Sequence, residues 1–306
     1  MSVDGALSGK TAVITGATAG IGLASMLALA AEGASVIGVG RSQARCRQAE
    51  DLVRDSIPGA QVQYLLADLS SQEQVRGLSR RIKSVLQERG LSALDILVNN
   101  AGLYAQHLTR TVDSIELTLA VNHLAVFLLT LELLPVLTAT PDQRALGRVI
   151  TVSSHSHYWA RMNIQRLNKP FPYLGILAYA RSKLANVLFT REFNRRMAGK
   201  PVRAFAVDPG LVKTQIALKE RGFLSQRIWA WRSQKGTDPS VPAQTVLHLS
   251  REQDVLQNPA DYWYNSQPKA PSPNAENVGM AAELWKLSCR LCGMSYSETF
   301  CSGDAR

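Results

Sequence analysis

The chain has 306 residues, with 34 Lys and Arg against 24 Asp and Glu for a formal charge of +10, and 46% of its residues are hydrophobic. That composition excludes a disordered chain, a collagen-like fibre and a disulfide-stapled mini-protein, and it supplies enough apolar material for a sizeable core. Four cysteines, Cys46, Cys289, Cys292 and Cys301, are too few and too clustered for a disulfide framework, which fits a reducing, cytoplasmic setting.

The opening MSVDGALSGK has neither the charged n-region nor the apolar h-region of a secretory signal. Residues 11–31, TAVITGATAGIGLASMLALAA, carry no charge and are long enough to cross a bilayer. They switch at Gly20 from a strand-like run with Gly and Thr to an Ala/Leu-rich helix former, which predicts a buried strand, a turn and a helix. Further strands are expected at 35–40, 62–68, 94–102, 148–154 and 202–210, with helices through Arg54, over 71–88 and over 178–196. Continuous apolar strands separated by helices predict one doubly wound α/β domain with a parallel sheet covered on both faces. The apolar stretch at 124–137 is interrupted by Glu132 and Pro135, so no transmembrane span is expected. After Thr214 the pattern becomes basic and Trp-bearing, then turn-rich, over about 215–243. A return helix at 241–250, a last strand at 261–265, a loop at 268–274 and a terminal helix at 276–294 complete the chain.

Gly16, Thr18, Ala19, Gly20, Ile21 and Gly22 follow the first strand and open the first helix. Glycine permits the tight turn and close backbone approach, and the helix N-terminus supplies N–H donors and positive dipole charge, so this stretch points to a dinucleotide pyrophosphate. An acidic residue at the end of the second strand would bind ribose hydroxyls and repel a 2'-phosphate, but the chain has Gly40-Arg41 there. Arg41, with Ser42 and Arg45 nearby, favours NADP(H) over NAD(H). Asp68 and Leu69 end the third strand, and Asn99, Asn100, Ala101 and Gly102 end the fourth, where they can meet the adenine and form the cofactor floor.

Tyr179 and Lys183 stand four residues apart on one helix face. A phenol with an ordinary pKa near ~10 is a poor proton carrier at neutral pH, and a neighbouring ammonium favours its phenolate. Upstream, Ser153 and Ser154 end a strand where a hydroxyl can hold a substrate carbonyl, and Asn122 lies in the intervening helix.

Together, TGATAGIG, NNAG, the strand-end serine, YARSK and DPGLVKT resemble the short-chain dehydrogenase/reductase family over residues 8–214. VNHLAVFLLT, the interval between VSSHSHY and YARSKLANVLFT, and LWKLSCRLCG resemble its retinol-dehydrogenase-like subgroup. The resemblance implies a Rossmann-like domain in which Tyr179 carries the proton, Lys183 lowers its pKa and binds the nicotinamide ribose, and Ser154 polarises the carbonyl. It further implies that Asn122 holds a water linking Lys183 to solvent, and that Pro209, Gly210, Val212 and Thr214 close around the nicotinamide amide. The implied activity is NADP(H)-dependent interconversion of a carbonyl and an alcohol on a lipophilic small molecule, with homo-oligomers common in the family. A cofactor-binding regulator that keeps the fold without turnover is the alternative. Two departures, Ala125-Val126 where Gly-His is frequent and an N-terminus without the subgroup's membrane anchor, point to a soluble relative.

Residues 216–235 combine Phe223, Leu224, Ile228, Trp229 and Trp231 with five Lys and Arg. They are read as a lid over a lipophilic pocket, with an interfacial helix touching anionic lipid as the competing reading. Cys289 and Cys292 form one CxxC with no second Cys pair or clustered histidines in the sequence and are expected to be structural rather than metal ligands. No nucleic-acid-binding motif accompanies the positive charge.

Overall fold

The computed structural model describes residues 5–139, 146–212 and 236–295. The element order is β1 (Thr11–Thr15), α1 (Gly20–Ala31), β2 (Ser35–Gly40), α2 (Gln43–Ser56), β3 (Val62–Leu66), α3 (Gln72–Glu88) and β4 (Ile96–Asn99). A long helical stretch, α4 (Leu117–Leu137), follows, then β5 (Gly147–Val152), α5 (Gly175–Arg196), β6 (Val202–Asp208), α6 (Ser240–Arg251), β7 (Tyr262–Tyr264), β8 (Gln267–Pro268) and α7 (Val278–Leu291). The strands form one sheet of order β3-β2-β1-β4-β5-β6-β7-β8, parallel throughout except for the antiparallel β7–β8 pair.

Alternate residues of each strand serve opposite faces. Val13, Ile37, Val39, Leu65, Leu97 and Val149 pack with α3, α4, α5 and α7, whereas Ala12, Ile14, Val36, Ile96, Val98, Ile150 and Phe205 pack with α1 and α6. Both faces being covered, the strands carry uninterrupted apolar runs. The strand order reverses between β1 and β4, and a parallel α/β sheet opens a crevice at that point beyond its carboxyl ends.

The structure differs from the sequence expectation in three places. Glu132 and Pro135 do not interrupt α4. Pro135 falls in its last turn, and Glu132 pairs with Arg76 of α3. By length and composition α4 could cross a membrane, and 89% of its apolar window is buried inside this fold. Its apolar residues meet α3, the sheet and α7 instead. Asn122 does not sit on a regular α-helical turn, because residues Ala120–Leu124 form a π-helical turn within α4. The expected loop at 268–274 begins on the edge strand β8 and contains a 3-10 turn at Pro273–Glu276.

The C-terminal helix is anchored locally and at long range. Asn277 accepts the Met280 N–H at its start, while Gln72 and Arg76 donate to the Leu291 and Cys292 carbonyls at its end. Cys289 and Cys292 are buried there, and burial pushes the Cys292 thiol up to about 12. Residues 216–235, Thr214 and Cys301 lie outside the described residues.

Candidate active site

The glycine turn is built by its neighbours as much as by its own sequence. Gly16 has φ +66, and a Cβ there would come within 2.9 Å of the Ala101 Cα. Thr15 Oγ1 accepts the N–H groups of Asn100 and Ala101 at 3.0 and 3.1 Å, and Asn100 Nδ2 donates back to the Thr15 carbonyl at 2.8 Å. The β1 and β4 ends are thereby cross-tied. Tyr64 on β3, which nothing in the sequence pattern marks, donates its hydroxyl to the Ala17 carbonyl at 2.7 Å.

A cleft of about 280 Å³ opens over these ends. It is lined by Gly16, Thr18, Ala19, Gly20 and Ile21 from the turn, Gly40 and Arg41 at the end of β2, Arg45 from α2, Asp68 and Leu69 after β3, and Asn100, Ala101 and Gly102 after β4. Val39, Ala67, Ser70, Leu103, Leu117 and Val121 complete the wall without having been expected. Gly22 is not part of the lining. A Cβ at Gly22 would stand 2.3 Å from the Gly16 carbonyl oxygen and 2.5 Å from Asn100 Nδ2, so its role is to let α1 pack against the turn. Gly22→Ala is accordingly expected to cost about 1–3 kcal/mol of stability by overpacking, read as a lower midpoint in denaturant unfolding.

The site residues from β5, β6 and α5 gather beside this cleft rather than in its lining. Ser153 and Ser154 are adjacent and point apart: Ser153 Oγ donates to the Lys183 carbonyl at 2.8 Å, while the Ser154 hydroxyl accepts the Ser156 N–H at 3.2 Å and lies near enough to the Tyr179 phenol to lower its pKa. Lys183 is buried, its Nζ donating to the Val152 carbonyl at 2.9 Å and lying 5.6 Å from the Tyr179 ring centre. Tyr104 meets the Tyr179 ring edge-on at 6.3 Å. Asn122 Oδ1 accepts the Leu103 N–H at 2.8 Å, and its Nδ2 donates to the Leu103 carbonyl and to Ser182 Oγ at 2.9 and 3.0 Å. Gly102 lies next to both groups, and a Cβ there would be 3.4 Å from Lys183 Nζ and 3.5 Å from Asn122 Oδ1. Pro209 and Gly210 follow β6, and Val212 forms a bridge with Thr237.

Burial dominates the proton affinities. It pushes Tyr179 up to about 12, assisted by the Asp208 charge. Burial lowers Lys183 to about 8. Ser154 acts downward on Tyr179, and the Lys183 ammonium donates to the Val152 carbonyl.

The residues present fit a dinucleotide. The N-terminus of α1 carries no side-chain cap and no acidic residue in its first turn, and Gly16 leaves an opening that a Cβ would fill. Arg41 is exposed, with no hydrogen-bond or ion-pair partner among the described residues. An open helix N-terminus and a spare guanidinium suit phosphate groups.

A doubly wound sheet with such a cleft at its reversal point, next to a serine, tyrosine and lysine, defines a nucleotide-dependent oxidoreductase. The chain belongs to the short-chain dehydrogenase/reductase family, in its retinol-dehydrogenase-like subgroup. The family profile described as short chain dehydrogenase matches residues 10–223. Over 290 residues the chain is 34% identical to retinol dehydrogenase 12 of Mus musculus, covering 95% of this chain and 88% of that protein. It is 35% identical over 301 residues to dehydrogenase/reductase SDR family member 13 of Homo sapiens, covering 96% and 76%. Among solved structures, an uncharacterised protein from Mycobacterium paratuberculosis superposes with TM-score 0.72 at 32% identity over 96% of this chain and 97% of that one. Landomycin C-6 ketoreductase LanV, solved with NADP and rabelomycin, gives TM-score 0.66 at 26% identity over 86% and 96%. The protein is an oxidoreductase of CH–OH groups whose fold binds a nicotinamide cofactor.

Proposed function

We propose that this chain is an NADP(H)-dependent oxidoreductase that interconverts a carbonyl and an alcohol on a hydrophobic small molecule, with Tyr179 moving the proton. The observation that carries the reading is the meeting of Ser154, Tyr179 and Lys183 beside a cleft that ends on Arg41, exposed and without a partner among the described residues. The NADP bound in LanV and the names of the retinol dehydrogenase relatives support cofactor and substrate class. Exposed Phe171, Leu174 and Ile176 just before Tyr179, and Leu108 on the facing loop that Tyr173 ties through Ala105, suit an apolar substrate.

Bound nicotinamide would supply or take the hydride at the substrate carbon. The turn at 16–21 and the α1 N-terminus would hold the diphosphate, and Arg41 a 2'-phosphate. Ser154 donates toward a carbonyl oxygen, fixing it within reach of the Tyr179 hydroxyl. Tyr179, protonated across the neutral range, delivers its proton to that oxygen as charge develops, and in the alcohol direction it must first lose it. Asn122 keeps the 102–103 segment against α5, so that Lys183 stays behind Tyr179.

The two proton affinities set opposite pH dependences. Tyr179 stays protonated up to about 12 and Lys183 stays charged up to about 8, so carbonyl reduction should be level through neutral pH and fall as Lys183 loses its charge. Alcohol oxidation, which needs the tyrosine deprotonated, should rise with pH. Initial rates in both directions across the pH range check this, and parallel profiles would contradict it.

Nicotinamide fluorescence titrations with NADPH and NADH, followed by a panel of aldehydes and ketones of increasing chain length, test the reading. Tighter NADPH binding with oxidation on long apolar carbonyls is expected. Tight NADPH binding without turnover of any carbonyl would instead support a regulator that has kept the fold.

A further inference from the structure

Asp208 ends β6 almost fully buried, and a carboxylate in such a place requires compensation. Its Oδ1 accepts the Gly210 N–H at 3.0 Å, which shapes the Pro209-Gly210 turn, and its Oδ2 accepts Lys269 Nζ at 2.9 Å. Lys269 comes from the segment just after β8, with its backbone N–H donated to the Tyr262 carbonyl at 2.9 Å. Its ammonium lies 4.6 Å from the ring centre of Tyr264 and 5.2 Å from that of Tyr158. Gly210, at φ +69, rests against the same Tyr264, whose ring would be 3.2 Å from a Cβ placed there. One lysine therefore ties the edge of the sheet to the turn next to the reacting groups.

The other groups around Asp208 do not replace this charge. His155 Nδ1 is 3.8 Å away on a side chain 68% exposed, and it carries charge only when protonated. Tyr262 is held neutral by burial and by Asp208 itself. His157 is kept neutral, with burial lowering its pKa, its Nε2 accepting the Ser272 N–H at 3.0 Å and its Nδ1 facing the Ser154 carbonyl at 2.9 Å. Around Tyr179 stand the Ser154 hydroxyl, Lys183, the edge of Tyr104 and the Asp208 charge. Asp208 favours the protonated phenol, so whatever neutralises Asp208 also acts on Tyr179.

We propose that Lys269 is a positioning residue for the oxidoreductase reaction, fixing the Pro209-Gly210 turn through Asp208 and neutralising that buried carboxylate next to the turn. The effect of the second part on the reaction rests on the reading of Tyr179 as the proton carrier. The first part does not.

Lys269→Met, Lys269→Arg, Asp208→Asn and the Lys269→Met/Asp208→Asn pair separate these parts. In the cofactor-free protein, hydrogen exchange of the peptide spanning 209–212 should quicken in Lys269→Met by about tenfold or more and stay near wild type in Lys269→Arg. The pH profile of alcohol oxidation should move to higher pH in Lys269→Met, lowering the rate near neutrality by about tenfold per unit of displacement. It should return toward wild type in the double variant, where the unpaired charge is gone, while the 209–212 peptide stays fast. Unchanged exchange and an unchanged profile in a folded Lys269→Met protein overturn the proposal. A shifted profile that the double variant fails to restore overturns the electrostatic part. If Lys269→Met does not fold, Lys269→Gln carries the same comparison. A wild-type protein without turnover would refute the proposed function, and the exchange result would still decide whether Lys269 holds the turn.

Discussion

Tyr179→Phe should lower kcat for carbonyl reduction by roughly 10²–10⁴-fold, the usual contribution of a positioned general acid, and leave NADPH affinity within about threefold of wild type. The substitution keeps the ring, its edge contact with Tyr104 and the ammonium nearby, and removes only the hydroxyl beside Ser154. An interaction made only as the proton moves is lost from kcat and not from binding, so the split between the two measurements is diagnostic. A Tyr179→Phe enzyme with full turnover would remove Tyr179 from the mechanism.

The second large effect is expected at Arg41. Replacing it by Glu should weaken NADPH binding by roughly 10- to 150-fold, the equivalent of one hydrogen bond to a charged group, and leave NADH binding nearly unchanged or improved. Arg41 is exposed at the cleft mouth without a partner among the described residues, so its removal breaks no internal contact and the melting temperature should hold. The NADPH effect should shrink at high salt, where exposed charges are screened. Equal losses for both dinucleotides would show that Arg41 acts on something they share.

Much of this site could be read from the chain because parallel strands buried on both faces announce themselves as apolar runs, and their carboxyl ends are punctuated by Gly, Asn, Ser and Pro. The positions of Gly16, Arg41, Asp68 and Asn100 around one cleft follow from that alternation. The spacing alone does not separate Ser153 from Ser154, and only the family resemblance favours Ser154. One residue of strand register turns a side chain to the other face, and only the structure places Ser153 on the Lys183 carbonyl and Ser154 beside Tyr179. The unbroken α4 was hidden because Pro135 reads as a helix breaker, yet it falls where the helix is ending, and Glu132 finds its partner on a separate helix. Tyr64 and Lys269 were missed for a plainer reason. Each acts on a turn distant in sequence, Ala17 and the Asp208-Gly210 turn, and no local pattern encodes such a pairing. Thr214 and the basic, Trp-bearing 216–235 lie outside the described residues.

The central claim is a hydride passing between NADPH and a carbonyl carbon in a site where Tyr179 supplies the proton. Incubating the protein with 4-deuterated NADPH of each stereochemistry and a long-chain apolar aldehyde, then analysing the alcohol by mass spectrometry, tests it most directly. One deuterium on the carbinol carbon from a single face of the cofactor, with formation suppressed in Tyr179→Phe, is the predicted result. Alcohol formed without the label, or labelled alcohol formed equally well by Tyr179→Phe, would contradict it.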